Sequence, residues 1–191
     1  MANYVSNKII CTKEILEDFF IDYYPFSTKE KYNKPYITFN KIVGVDSISD
    51  YEDKFGTSIY YGWGFTYNLV EDGLYEIKFA TKWFYPIIAI IKSLEKFKND
   101  IKWYAVEDNM IYVSKFTYNN NEICEEVLSL ENEEFYKFDE QYHNSNSDNI
   151  DDFDNGEVCV WEYIKNKQLK WVRVENINLK DKYYEKYSGN Y

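Results

Sequence analysis

The sequence holds one histidine, His143, three cysteines and three prolines in 191 residues. A single histidine removes most of the usual general-base and metal-ligand combinations, and no Ser-His-Asp or Cys-His pairing follows from its spacing. Cys11, Cys124 and Cys159 are odd in number and widely separated. They imply neither a disulfide framework nor a zinc site, and a reducing cytosol is the expected setting. Positive charge is scarce: 22 Lys and Arg against 33 Asp and Glu give −11 at pH 7. That deficit opposes phosphate neutralisation, hence direct nucleic-acid binding, and opposes anionic membrane surfaces. The longest apolar run, "WFYPIIAII" (83–91), is too short to span a bilayer. The opening "MANYVSNKII" has no basic stretch ahead of an apolar one, so no signal peptide is expected. These absences predict a cytoplasmic protein with no catalytic residue, metal, cofactor or membrane partner.

Aromatic side chains are abundant. They make up 20% of the chain, with 21 tyrosines. One domain of this size cannot bury them all, and exposed tyrosines combine contact area with a polar tip, which suits protein–protein contact. With the negative charge, this composition favours a protein partner that carries a basic groove.

The pattern along the chain predicts an α+β fold. Residues 3–11 read as a strand. Thr12 then offers an N-cap, and Ile15, Leu16, Phe19, Phe20 and Tyr23 follow at helical spacing for about three turns, with Pro25 just beyond. Residues 36–43, "YITFNKIV", read as a second strand, residues 44–74 as a long irregular connection, and residues 75–81 as a third strand. Pro86 opens a helix whose buried face is Ile87, Ile90, Ile91, Leu94 and Phe97. Residues 101–108, 110–118 and 122–130 form a β-meander, and residues 157–164 pair with 169–174 as a final hairpin. The order suggests a ferredoxin-like βαβ-βαβ core with helices on one face of an antiparallel sheet and a C-terminal meander and hairpin extension. The expected organisation is a domain over 1–130, an acidic loop over 131–156, and a hairpin and tail over 157–191 on the same domain.

Four segments carry a family resemblance: "NYVSNKI" (3–9), "FNKIV" (39–43), "WGFTYN" (63–68) and "FATKWFYP" (79–86). In this order they resemble the ferredoxin-like domain of the YubB/Api92-like proteins of plasmids and phages, over roughly residues 3–118. Trp63 and Gly64 match the W-G-x-K-W pattern of that family, and Phe79, Thr81, Trp83 and Pro86 match F-x-T-x-W-x-x-P. Thr66 and Tyr67 depart from the lysine and second tryptophan of the first pattern. The resemblance implies a fold and a mobile-element origin, and no catalytic mechanism.

Three groups of residues are candidates for function. Gly62 and Gly64 flank Trp63, which is expected to plug the layer between sheet and helix beside Trp83; the alternative is a pocket lined by Trp63, Tyr67 and Trp83 that takes RNA or a small molecule. Trp103, Tyr104, Tyr112 and Phe116 lie on strands and imitate an RNA-stacking platform, but the basic signature of such modules is missing. Residues 131–157 hold ten acidic residues against one lysine. The bland reading is a solvated loop. The functional reading is a partner-binding surface of Asp148, Asp151, Asp152, Asp154 and Glu157 with Tyr136 and Phe138 as anchors. A calcium loop over 151–162 is disfavoured, since Phe153 falls where an oxygen ligand is required. Glu125 and Glu126 are adjacent on a strand and point to opposite faces.

Overall fold

The computed structural model describes residues 4–20, 36–57, 59, 61–107, 112–145, 155–166 and 172–173. It is an α+β protein built on one eight-stranded sheet. The strands are β1 (Tyr4–Thr12), β2 (Tyr36–Thr38), β3 (Tyr61–Glu71), β4 (Leu74–Lys82), β5 (Lys102–Glu107), β6 (Tyr112–Asn119), β7 (Glu122–Ser129) and β8 (Val172–Arg173). Their order across the sheet is β2-β3-β4-β1-β5-β6-β7-β8, and every neighbouring pair is antiparallel.

The first helix begins as expected. Thr12 caps it, its Oγ1 accepting from the Ile15 N–H at 3.5 Å. One α-helical turn, α1 (Lys13–Ile15), runs into a π-helical turn over Leu16–Phe20. Ile15, Leu16 and Phe20 are buried there, while Tyr23 and Pro25 lie outside the described residues. The strand expected over 36–43 is shorter: β2 ends at Thr38 and α2 (Asn40–Val43) takes over. Residues 44–74 are not a long loop. Ser47 starts α3 (Ile48–Phe55), its hydroxyl accepting from the Asp50 N–H at 3.1 Å and donating to the Asp50 carboxylate at 2.7 Å. Such reciprocal caps stabilise a helix start by about 1 kcal/mol. β3 follows and turns back into β4 at Asp72–Gly73.

The helix after Pro86, α4 (Ile87–Phe97), buries Ile87, Ile88, Ala89, Ile90, Ile91, Ser93 and Leu94. Each large apolar side chain taken from water contributes about 1.5–3 kcal/mol, so α4 is a principal anchor of the core.

The C-terminal part departs from the sequence reading. Within the expected acidic loop, Glu133–Ser145 is a helix, α5. Asn132 caps it, accepting from the Phe135 N–H at 2.8 Å. The expected hairpin strand 157–164 lies inside a helix, α6 (Asn155–Asn166), and Val172–Arg173 pairs with Val127 and Glu126 of β7 instead.

These two helices change the layering. Along β5, Trp103 and Ala105 enter one buried cluster with the first helix, α2, α4 and Tyr51 of α3, whereas Val106 and the half-buried Tyr104 join a second with Phe135, Cys159, Val160, Trp161 and Tyr163. Successive strand residues face opposite sides. Helices therefore cover both faces of the sheet, not one. On the second face Lys8 of β1 lies over the Trp161 ring, 4.3 Å from its centroid.

Candidate functional site

The outer face of α5 carries exposed carboxylates beside an exposed tyrosine. Glu133, Glu134, Tyr136, Lys137, Glu140 and Gln141 are exposed, while Phe135 is buried. Phe135, Phe138 and Tyr142 recur at helical spacing and turn inward. Phe135 and Phe138 meet Tyr163 of α6 at ring distances of 5.1 and 5.2 Å, and Phe138 stacks on Tyr142. Tyr136 is left pointing to solvent, 58% exposed. Glu133 and Glu134 sit in the first turn, where the helix dipole favours carboxylates. The 3.7 Å contact of Lys137 with Glu133 is fully on the surface and neutralises little.

Of the seven residues expected to bind a partner, Tyr136 is exposed on α5. Phe138 is not a free anchor, because it packs between α5 and α6. Glu157 falls within α6, and its side chain lies outside the described part. Asp148, Asp151, Asp152 and Asp154 lie outside the described residues.

The residues of the expected pocket do not converge. The Gly62 position is forced by packing: a Cβ there would run into the Phe79 ring and come within 3.0 Å of both the Ala80 carbonyl and Ile37. Gly64 has φ +64° and opens a bulge, so that Trp63 pairs with Ala80 but Thr66 already pairs with Lys78. Trp63 consequently stands on the second face, half-buried, in ring contact with Tyr4 (5.3 Å) and Tyr61 (6.1 Å). It does not plug the layer between sheet and helix; Phe65 and Phe79 occupy that layer. Tyr67 points to the other face, beside Phe65 and Tyr75. Trp83 follows β4 with φ +73° and is 61% exposed, its ring 5.6 Å from the Lys82 ammonium. A left-handed backbone on a bulky residue is rare. The turn that carries it is tied down from inside, where the Thr81 hydroxyl donates to the Phe84 carbonyl at 2.8 Å.

The RNA-stacking alternative fails on burial. Trp103 and Phe116 are core residues, and Tyr104 is covered by Trp161 of α6 at 6.5 Å. The side chain of Tyr112 lies outside the described part.

Two buried polar side chains hold hydrogen-bond networks that the sequence pattern does not show. Asn7 donates to the Thr81 hydroxyl (3.0 Å) and the Val5 carbonyl (3.0 Å) and accepts from the Trp103 indole N–H (3.1 Å). Glu125 accepts from the Ser114 hydroxyl (2.6 Å) and the Tyr85 hydroxyl (3.2 Å) beneath α4. Glu126, on the opposite face as expected, pairs with Lys115 at 2.7 Å. Apart from Val5, two residues from Asn7, nothing in local sequence marks these partners, which are 11 to 96 residues apart.

A cysteine, an aspartate and the only histidine do come together, between α5 and α6. The order is wrong for nucleophilic catalysis. Asp139 Oδ1 lies 3.3 Å from Cys159 Sγ and 3.3 Å from His143 Nε2, so the carboxylate stands between thiol and imidazole, where a triad needs the imidazole. Burial, and then the hydrogen bond to Asp139 and its charge, push the Cys159 thiol up to about 12. A thiol held protonated is not a nucleophile. Asp139 and Cys159 link α5 to α6, while His143 meets Asp139 from one turn further along α5. Among the described residues no group of three or more His, Cys, Asp or Glu side chains is placed to hold a metal ion, and no helix is long and apolar enough to cross a membrane. Set against protein-family models, curated proteins and solved structures, the chain matches none.

Proposed function

We propose that this chain acts without catalysis, by binding a host protein through an acidic, tyrosine-bearing helix. The partner is a protein with a basic groove that ordinarily holds DNA or RNA. In its most concrete form the chain is a phage or mobile-element inhibitor of a nucleic-acid-handling defence system, of the anti-CRISPR kind, working in the cytoplasm. One observation carries the reading. Tyr136 is an exposed aromatic side chain on a helix face dominated by Glu133, Glu134 and Glu140, while the neighbouring aromatic residues turn inward and hold that face rigid. A rigid aromatic anchor ringed by like charge is the composition expected of a surface that enters a cationic cleft. The acidic residues Asp148, Asp151, Asp152 and Asp154 extend the same charge in sequence.

The strand run β3-β4-β1-β5, with the first helix and α4 on one side, supports a ferredoxin-like core continued by β6 to β8. That core is in keeping with the resemblance to YubB/Api92-like proteins.

Capture of partners from a bacterial lysate at low and high salt tests the proposal. Binding should weaken with salt, and should be lost with Tyr136→Ala and reduced when Glu133, Glu134 and Glu140 become Gln. Capture that is indifferent to salt and to all of these changes overturns it. A second reading, RNA or small-molecule binding by exposed tryptophan, is favoured by the left-handed, 61% exposed Trp83. Tryptophan fluorescence titrated with oligonucleotides and nucleotides, in the wild type and in Trp83→Phe, separates the two.

A further inference from the structure

The two faces of the sheet are built differently. Along β1 the side chains of Val5, Asn7, Ile9 and Cys11 are buried on the first face, while Ser6, Lys8 and Ile10, on the second, are half-buried. One row of the second face crosses five strands in register: Lys78 of β4, Lys8 of β1, Tyr104 of β5, Lys115 of β6 and Glu126 of β7. Its charges are paired within the sheet. Lys8 and Lys78 reach Glu76 at 3.1 and 3.5 Å, and Lys115 reaches Glu126 at 2.7 Å. The helix α6 is laid over this row, with the Trp161 ring 4.3 Å from the Lys8 ammonium and 6.5 Å from the Tyr104 ring. The Lys8 and Glu76 side chains are only 14% and 17% exposed.

Charges held out of water oppose such a contact. A desolvated ion pair gives back little beyond its own desolvation, and like charges side by side on neighbouring strands, here Lys78 and Lys8, repel. When α5 and α6 leave, these pairs stay intact and regain water, so removal costs less than stripping an apolar face of the same area. Val106, Val113, Val160 and Trp161 supply the apolar part of the contact. The sheet need not break either: α5 and α6 lie between β7 and β8 in the chain, and those two strands pair with each other. Helices of 13 and 12 residues are marginal by themselves in water, so off the sheet they melt. We propose that the α5–α6 layer opens and melts as a unit of its own while the sheet, the first helix and α4 stay folded. Closed, the layer holds Tyr136 and the carboxylates of α5 in place; open, it withdraws them. Opening therefore gates the partner surface, a consequence that rests on the partner reading, whereas opening itself is measured on the free chain.

Two of the native thiols report on the two parts. Cys11 is buried in the first cluster and Cys159 in the second. Iodoacetamide at pH 8, applied to the full chain in urea below the unfolding midpoint and followed by peptide mass spectrometry, reads both. Alkylation is slow beside reclosing, so each rate tracks the population of the form that exposes that thiol. Corrected for the rates in the fully unfolded chain, Cys159 should react about tenfold faster than Cys11, or more. Its urea dependence should be shallower, because its opening exposes less surface. Asn7→Ala weakens ties that the open form keeps, so it should speed Cys11 about tenfold or more and leave Cys159 unchanged. Ile90→Val, a milder change in the first cluster, should act the same way, by about threefold or more. Equal rates with equal urea dependence, a Cys159 thiol silent up to global unfolding, or both thiols speeding together in these variants would each overturn the proposal.

Discussion

Replacing Asn7 with alanine should be among the most damaging single changes in this protein. Asn7, Thr81 and Trp103 are all fully buried, and Asn7 joins β1 to β4 and β5 through its hydrogen bonds to Thr81 and Trp103. Truncation strands the Trp103 N–H without an acceptor, at a cost of about 1–3 kcal/mol. The two bonds donated by the Asn7 amide are worth about 0.5–1.5 kcal/mol each, but Thr81 keeps its donation to Phe84, which limits that part. The total is about 2–4 kcal/mol out of a stability of roughly 5–15 kcal/mol. For a chain of this length that corresponds to a loss of about 4–16 °C in melting temperature. Urea unfolding followed by far-UV circular dichroism measures it. The mechanism is isolated by Trp103→Phe, which removes the stranded donor: in that background Asn7→Ala should cost about 1–2 kcal/mol less. A cost below about 0.5 kcal/mol, or additive effects in the double variant, would refute the assignment of the network as a principal tie across the sheet.

Gly62→Ala should destabilise the fold by about 1–3 kcal/mol, because the buried Phe79 ring and the β4 backbone leave no room for a methyl group; thermal unfolding would read it. Ser114→Ala leaves the buried Glu125 carboxylate short of one donor and should cost about 1–3 kcal/mol, more than Ser129→Ala, whose hydroxyl only accepts an exposed loop contact. Burial pushes the Cys11 thiol from 9.0 up to about 12, and Cys159 is raised to about 12 as well. Above pH 9 the unfolded chain releases these protons while the native state keeps them, so stability is full below that value and falls as pH rises toward 12. Tyr104 and Tyr163, raised first by burial and then by Glu126 and Glu134 respectively, act in the same direction. Urea midpoints across this range would follow the decline. Iodoacetamide at pH 8 should leave Cys11 unmodified until the protein unfolds.

Much of the sheet was legible in the residues themselves. β1, β4 and the meander of β5, β6 and β7 follow from β-branched and aromatic runs between polar turns, and α4 from its isoleucine spacing after Pro86. The failures have a common cause. Around "VCVWEYI" the residues have strand propensity, but Cys159 and Tyr163, four apart, bury together against Phe135 and Asp139, and that packing outweighs propensity. The Phe135, Phe138 and Tyr142 spacing was present within the acidic segment and was masked by its charge. For Trp63, the composition of "GWGF" marks a special backbone, but which face the ring takes depends on a one-residue bulge, because each added residue reverses the side of a strand. The sequence alone determined charge, aromatic excess and the periodic elements, since these are local properties. Only the tertiary structure decided which aromatic residues reach solvent, how Asn7 and Glu125 find partners far along the chain, and that helices close both faces of the sheet, since each depends on contacts between residues that no local pattern brings together.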